Sequence, residues 1–350
     1  MKKVIYSLGL GVIGGAVGAY LNIPLGWLLG AMVANIGASL QGVALAIPQW
    51  LRLIAFIGLG AMLGTAFEPE LLDRIHQWTV TMAGMLCYLA IAIPCAFIYG
   101  RKVTGFDNLT AAFSSIPGGL GVMVILGASA GADPRTTALA HTARLATILM
   151  VLPFLLRQLI GIDLDVTAAA NRPTASISLA DAGLFIALAV SGSLVAKTVR
   201  LPSPYLLGPL IPIAGAQMAD LTDFQIPIEF VNVTQVIIGA GIGTAFSGAK
   251  PHELFKTFIL SSGLTLLLLA LVILFAYVFT AWTDIGFAAL LLAFVPGGLA
   301  EIGMLALILN IDPVFVASHH AVRVLLITVT VPLLASRWVK RQQQREKPNA

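Results

Sequence analysis

The hydrophobic pattern of this chain is neither strictly alternating nor amphipathic. Apolar runs of about twenty residues, the length that spans roughly 30 Å of hydrocarbon, recur from the N-terminus to Arg337 with short polar punctuation between them. The pattern predicts helices near 4–21, 26–40, 50–66, 78–99 and 135–157, and a further stretch, 108–131, that Pro117-Gly118-Gly119 interrupts. One polar segment, "GIDLDVTAAANRPTAS", is long enough to be a linker. Composition agrees: 58% of residues are hydrophobic and 10% charged, against about 25% charged in an average soluble domain. A membrane protein with no separate soluble domain follows. The start, "MKKVIYSLGLGVIGGAVGAY", resembles a signal peptide with small residues at Val17-Gly18-Ala19. A counterpart of this segment returns in mid-chain, so it belongs to the fold.

The return is a duplication. "IPGGLGVMVILGASAGADPRTTALAHTARL", beginning at Ile116, aligns without a gap to "VPGGLAEIGMLALILNIDPVFVASHHAVRV", beginning at Val295, an offset of 295 − 116 = 179. The same offset joins "GTAF" at Gly64 to "GTAF" at Gly243, and one of 202 − 24 = 178 joins Pro24, Leu28 and Gly30 to Pro202, Leu206 and Gly208. The expected organisation is a first membrane repeat over 1–160, a linker over 161–178, a second repeat over 179–338 and a basic tail over 339–350.

Loop charge sets the orientation of the repeats, because Lys and Arg near segment ends mark the cytoplasmic side. The loop "NIPL" has no basic residue, whereas its counterpart is flanked by Lys197 and Arg200. "EPELLDRIHQ", around Glu70, is mostly acidic and its counterpart carries Lys250 and Lys256; "GRKVTG" is basic and "AWTDIG" is not. Equivalent loops therefore lie on opposite sides. The expected fold is all-α, with two inverted repeats of about five transmembrane helices, each carrying a Pro-Gly-Gly-broken or re-entrant segment. Both termini are then cytoplasmic.

The candidate chemistry sits in the duplicated blocks. Proline removes a backbone donor and glycines destabilise a helix interior, so Gly118-Gly119 and Gly297-Gly298 should unwind the chain at a central site. Asp133-Pro134 and Asp312-Pro313 combine an N-cap with proline at the first helical position and mark helix starts. From there His141 with Arg144, and His320 with Arg323, share a helix face near mid-depth. A mid-bilayer arginine costs about 2.5–3.5 kcal/mol even on the lenient scale, so it needs a partner or a cavity. Either the arginines pair internally, with Glu301 or with carbonyls freed by the breaks, or they help neutralise an anionic substrate beside helix termini. Glu301 has Val122 as its counterpart, so only one break carries an acid; it is either a coupling group for a proton or cation, or a structural partner of Arg323. His141, His319 and His320 lack a recognisable metal-ligand spacing, and His76 and His252 fall in loops. No metal or other cofactor is expected. Cys87 and Cys95, eight residues apart on one helix, are too distant for a disulfide with each other. Gly11, Gly14, Gly15 and Gly18 form overlapping GxxxG patterns that serve close packing, within the subunit or in a homodimer.

The doubled "PGGL…DP…H..R" blocks, with "P..WLLG" and "P.PYLLGPL" opening the halves, resemble the bacterial AbrB family of inner-membrane proteins over essentially the whole chain. Members of that family carry two labels, ammonia monooxygenase and gene regulator. The monooxygenase label fits poorly, since a copper oxidase needs a clustered ligand set and this chain offers five histidines, two of them in loops. No polynucleotide partner is implied. The expected function is secondary transport of a small anionic or carboxylate-bearing solute, with a membrane-embedded regulator or sensor as the alternative and a membrane enzyme third. The expected partners are that solute and the lipid bilayer.

Overall fold

The structure is a computed structural model that describes residues 2–67, 78–161, 179–222, 226–248 and 251–346. Most of the linker, the loop residues Glu70, His76 and Lys250, and the last four residues of the tail lie outside the described residues. Among the described residues there are fourteen helices and no strand. In the first half they are α1 (Lys2–Tyr20), α2 (Gly26–Leu40), α3 (Gln49–Gly64), α4 (Trp78–Lys102), α5 (Asn108–Ser115), α6 (Leu120–Ala130) and α7 (Pro134–Ile160). In the second they are α8 (Leu179–Thr198), α9 (Pro204–Met218), α10 (Ile228–Thr244), α11 (Pro251–Thr280), α12 (Phe287–Phe294), α13 (Leu299–Ile308) and α14 (Pro313–Glu346). Each half thus has the same seven elements in the same order. The expected five long segments are all helical, and the interrupted stretch is two short helices with the break at 116–119.

Six helices are long and apolar enough to cross a membrane, namely α1, α4, α7, α8, α11 and α14, and they are three counterpart pairs. Burial is distributed as lipid demands. α1 turns Ile5, Tyr6, Val12, Ile13 and Val17 outward and buries Ser7, Gly11, Gly15 and Gly18. Small residues inside let backbones approach, which is the driving contact where lipid is as apolar as leucine. Gly14 lies against the Gly30 carbonyl, and Gly18 against Gly26, so a Cβ at any of these would strike backbone. The GxxxG pattern therefore packs α1 on α2 within the subunit. Its counterpart contact, Gly192 on Gly208, recurs 178 residues later between α8 and α9.

Counterpart helices meet head to tail. Gly84 of α4 faces Phe279 of α11, and Gly263 of α11 faces the Tyr99 hydroxyl of α4, so the two run antiparallel. In α3 and α10, Gly58 faces Phe230 while Gly241 faces Arg52, again antiparallel. The short helices α5 and α6 also fold back on each other. Gly127 lies against Phe113 and Gly131 against Leu109, and the Asp133 amide donates to Thr110 Oγ1 at 2.9 Å. Asp107 caps α5 by accepting from the amides of Leu109 and Thr110. The predicted helix starts hold: Asp133 accepts from the amides of Arg135 and Thr136, and Asp312 from that of Phe315.

Candidate functional site

The caps at Asp133 and Asp312 set the phase of α7 and α14 so that His141 and Arg144, and His320 and Arg323, point one above the other at the short helices. The hydrogen bonds fix the histidine tautomers, because arginine only donates. Arg144 Nη2 donates to His141 Nδ1 at 2.8 Å, so Nε2 carries the proton and donates to the Phe113 carbonyl at 2.9 Å. His320 repeats this, with Arg323 Nη2 at 3.1 Å from its Nδ1 and the Leu292 carbonyl 2.9 Å from its Nε2. Phe113 and Leu292 are themselves counterparts, 292 − 113 = 179. Both imidazoles are neutral struts that aim a guanidinium. His319 is occupied otherwise, Nδ1 with the Phe315 carbonyl and Nε2 with Thr81 Oγ1.

The two guanidinium groups do different things. Arg323, 0% exposed, donates Nη1 to the Val295 carbonyl and Nη2 to the Gly297 carbonyl, each at 2.6 Å. It clamps the second break by the carbonyls that the Pro-Gly-Gly turn frees from helix. The counterparts of those carbonyls, on Ile116 and Gly118, have no such clamp. Arg144, 6% exposed, reaches one carbonyl among the described residues besides its bond to His141, that of Ser114 at 3.4 Å. The local turn is the same in both breaks, with Gly118 N–H donating to the Ile116 carbonyl and Gly297 N–H to that of Val295, both at 2.8 Å. The difference therefore lies in the arginines and not in the fold of the break.

A cavity of about 610 Å³ lies between the breaks, a size typical of small-molecule sites. Both breaks wall it, through Pro117, Gly118 and Gly119 on one side and Gly297 and Gly298 on the other. His141, Arg144 and Glu301 also face it; His320 and Arg323 do not. Around them Leu53, Phe56, Leu145, Leu206, Ile238 and Ile242 give an apolar wall, and Gln49, Arg52, Ser203 and Tyr205 polar points. The first turn of α6, residues 120–122, adds backbone amides that no side chain caps, a ready anion site when a charged partner is at hand.

Glu301, 8% exposed, is the third residue of α13, and its carboxylate lies over Gly298 Cα, where any Cβ would collide with Oε2. At Gly119 the corresponding space is open, with Val122 Cγ2 3.9 Å from an added Cβ. No ion pair joins Glu301 to Arg144 or Arg323 among the described residues, and its carboxylate accepts from its own backbone amide. Four buried polar atoms near the arginines have no partner: Tyr88 Oη, Ser114 Oγ, Arg144 Nε and Arg323 Nε. Behind Arg144 lies a pocket of about 10 Å³, lined by Ser114, Ser115, Ser261 and Thr265, room for about one water. Among the described residues no three His, Cys, Asp or Glu side chains group to hold a metal ion.

Of the residues that repeat matching singled out, Arg144, His141, the four glycines and, by contrast, Glu301 line this cavity. Repeat matching missed Arg52, Gln49 and Tyr205, because these have no like counterpart; Val231 stands where the second half would repeat Arg52. A charge inside the predicted helix 50–66 was the available signal. Tyr88 carried no signal within its apolar run.

A family model described as transition state regulatory protein AbrB matches residues 27–339 of this chain. The chain is similar to the uncharacterized protein YhjN of Bacillus subtilis (strain 168), at 26% identity over 95% of this chain and 92% of the relative. It is also similar to a candidate regulator, AbrB, of Escherichia coli (strain K12), at 27% identity over 90% of each chain.

Proposed function

Because the chain belongs to the AbrB family, with helices suited to multiple membrane crossings, we propose that it is a secondary transporter of a small anionic or carboxylate-bearing solute. The observation that carries this is one cavity walled by both Pro-Gly-Gly breaks with a buried arginine facing it. Non-helical backbone at membrane depth is tolerated where it lines such a cavity, and discontinuous helices at a repeat interface are the usual transporter site.

Support for inverted repeats comes from the antiparallel pairing of α3 with α10 and of α4 with α11, since parallel repeats would keep counterparts parallel. Support for a re-entrant α5–α6 hairpin comes from residues 109–110 lying beside 131–133. Five crossings and one hairpin per half give the odd count that inversion needs. With Lys2 and Lys3 on the cytoplasmic side of an inner membrane, the starts of α3 and α9 and the end of α10 are cytoplasmic. Gln49, Arg52, Ser203, Tyr205 and Ala245, which line the cavity, come from those ends. The cavity then opens inward. The clamp of Arg323 on Val295 and Gly297 closes the outer side, and Arg144 is released on the inner side. Arg144, positioned by His141, and the amides of the first turn of α6, just after Gly118–Gly119, receive the anion. Arg323 and His320 do the same in the outward-open state, and Glu301 receives a cationic partner at the second break.

The regulator name of the Escherichia coli relative belongs to that protein; an effect on gene expression here would follow from solute level. A thermal-shift screen of purified protein across carboxylates tests the proposal. At least one should stabilise the wild type, and Arg144→Gln should abolish that shift while the variant still melts cooperatively. A carboxylate shift that survives in Arg144→Gln contradicts the assignment.

A further inference from the structure

Two ionisable side chains of opposite type, a base and an acid, each more than nine-tenths buried, face the same cavity without touching. Arg144 has Nε unpartnered and one long bond to a carbonyl besides its histidine. Glu301 has no ion pair, and its carboxylate is met only by its own backbone amide among the described residues. A buried charge is costly unless paired, and the fold does not need the acid, since the first break makes the same turn with Val122 in place of Glu301. A simple anion would satisfy Arg144 and be repelled by Glu301; a simple cation would do the reverse. A third charge, Arg52, is exposed and screened by solvent, so it does not alter this balance.

Resting on the transport reading, we propose that the solute is a zwitterion of the amino-acid class. Its carboxylate meets Arg144 and the first turn of α6, its ammonium group meets Glu301, and an apolar side chain lies against Phe56, Leu145, Leu206 and Ile242. The cation that Glu301 receives is then part of the solute.

The test compares four probes on full-length protein in detergent by calorimetry and thermal shift. Leucine carries both charges, isocaproate is the same skeleton without the ammonium group, isoamylamine lacks the carboxylate, and ε-aminocaproate sets the charges further apart. Either amino acid should bind roughly tenfold or more tighter than both singly charged probes, because a site built for a polar group rejects the analogue that lacks it. Whichever of leucine and ε-aminocaproate binds tighter gives the charge spacing. In Glu301→Gln the amino acid should weaken by about tenfold while isocaproate is unchanged or tighter; in Arg144→Lys isocaproate should weaken and isoamylamine should not. If isocaproate binds wild type as tightly as the amino acids and Glu301→Gln changes neither, the zwitterion is overturned and the anion transporter stands. If no carboxylate-bearing probe binds at all, and a wider carboxylate screen is also silent, both fall together.

Discussion

At the residue scale, identical side chains in duplicated positions carry different loads. Arg323 donates to two carbonyls of the second break, so Arg323→Gln should lower stability by about 2–5 kcal/mol, the range for breaking buried charged hydrogen bonds. Arg144 makes one long bond to a carbonyl, and Arg144→Gln should cost about 1 kcal/mol or less. Melting temperatures of the two variants in one detergent check this; equal losses contradict the division of roles. Gly298→Ala offers a second check. Its Cβ would push the flexible Glu301 carboxylate aside without striking backbone, so it should reproduce the ligand-binding defect of Glu301→Gln while melting near wild type. Gly119→Ala, where a Cβ meets only Val122 Cγ2 at 3.9 Å, should melt near wild type. These residues were legible because duplication marks what recurs, and Glu301 because it breaks the repeat. Arg52 and Tyr88 were not, since neither recurs as the same residue and only tertiary packing brings Arg52 to the cavity and Tyr88 to the arginines.

At the element scale, the Pro-Gly-Gly breaks and the Asp-Pro helix starts were readable from local backbone chemistry alone. The fold-back of α6 on α5 stayed one of two alternatives, broken or re-entrant, because it depends on contacts such as Gly127 with Phe113 and Gly131 with Leu109 that no local pattern encodes. The same limit applied to the GxxxG face of α1, whose partner proved to be α2. The unequal clamps lead to a prediction about gating. Ala317 of α14, 2% exposed, is the counterpart of Ala138, which lines the cavity. In a background with Cys87 and Cys95 replaced, Ala317→Cys should resist a membrane-impermeant thiol reagent added outside. Adding Arg323→Gln should release the clamp and raise its labelling severalfold, a change that population shift between two states requires. Labelling that stays low in a folded double variant would show that Arg323 does not hold the outer gate.

At the scale of the whole molecule, hydropathy already gave a multi-crossing helical protein, and loop charge gave an orientation for each half. Cysteines placed at Glu70 and Lys250 should label from opposite faces of the membrane; labelling from one face makes the repeats parallel and removes the inward-open geometry. Binding and movement remain separate properties of such a fold, since a sensor and a carrier can share one cavity. Counterflow separates them most directly. Proteoliposomes holding purified protein, preloaded with an unlabelled solute found to bind, should transiently accumulate the labelled solute above its external concentration, and Arg144→Gln should abolish the overshoot. Tight binding with no overshoot in the wild type would make this protein a membrane-embedded receptor and contradict transport.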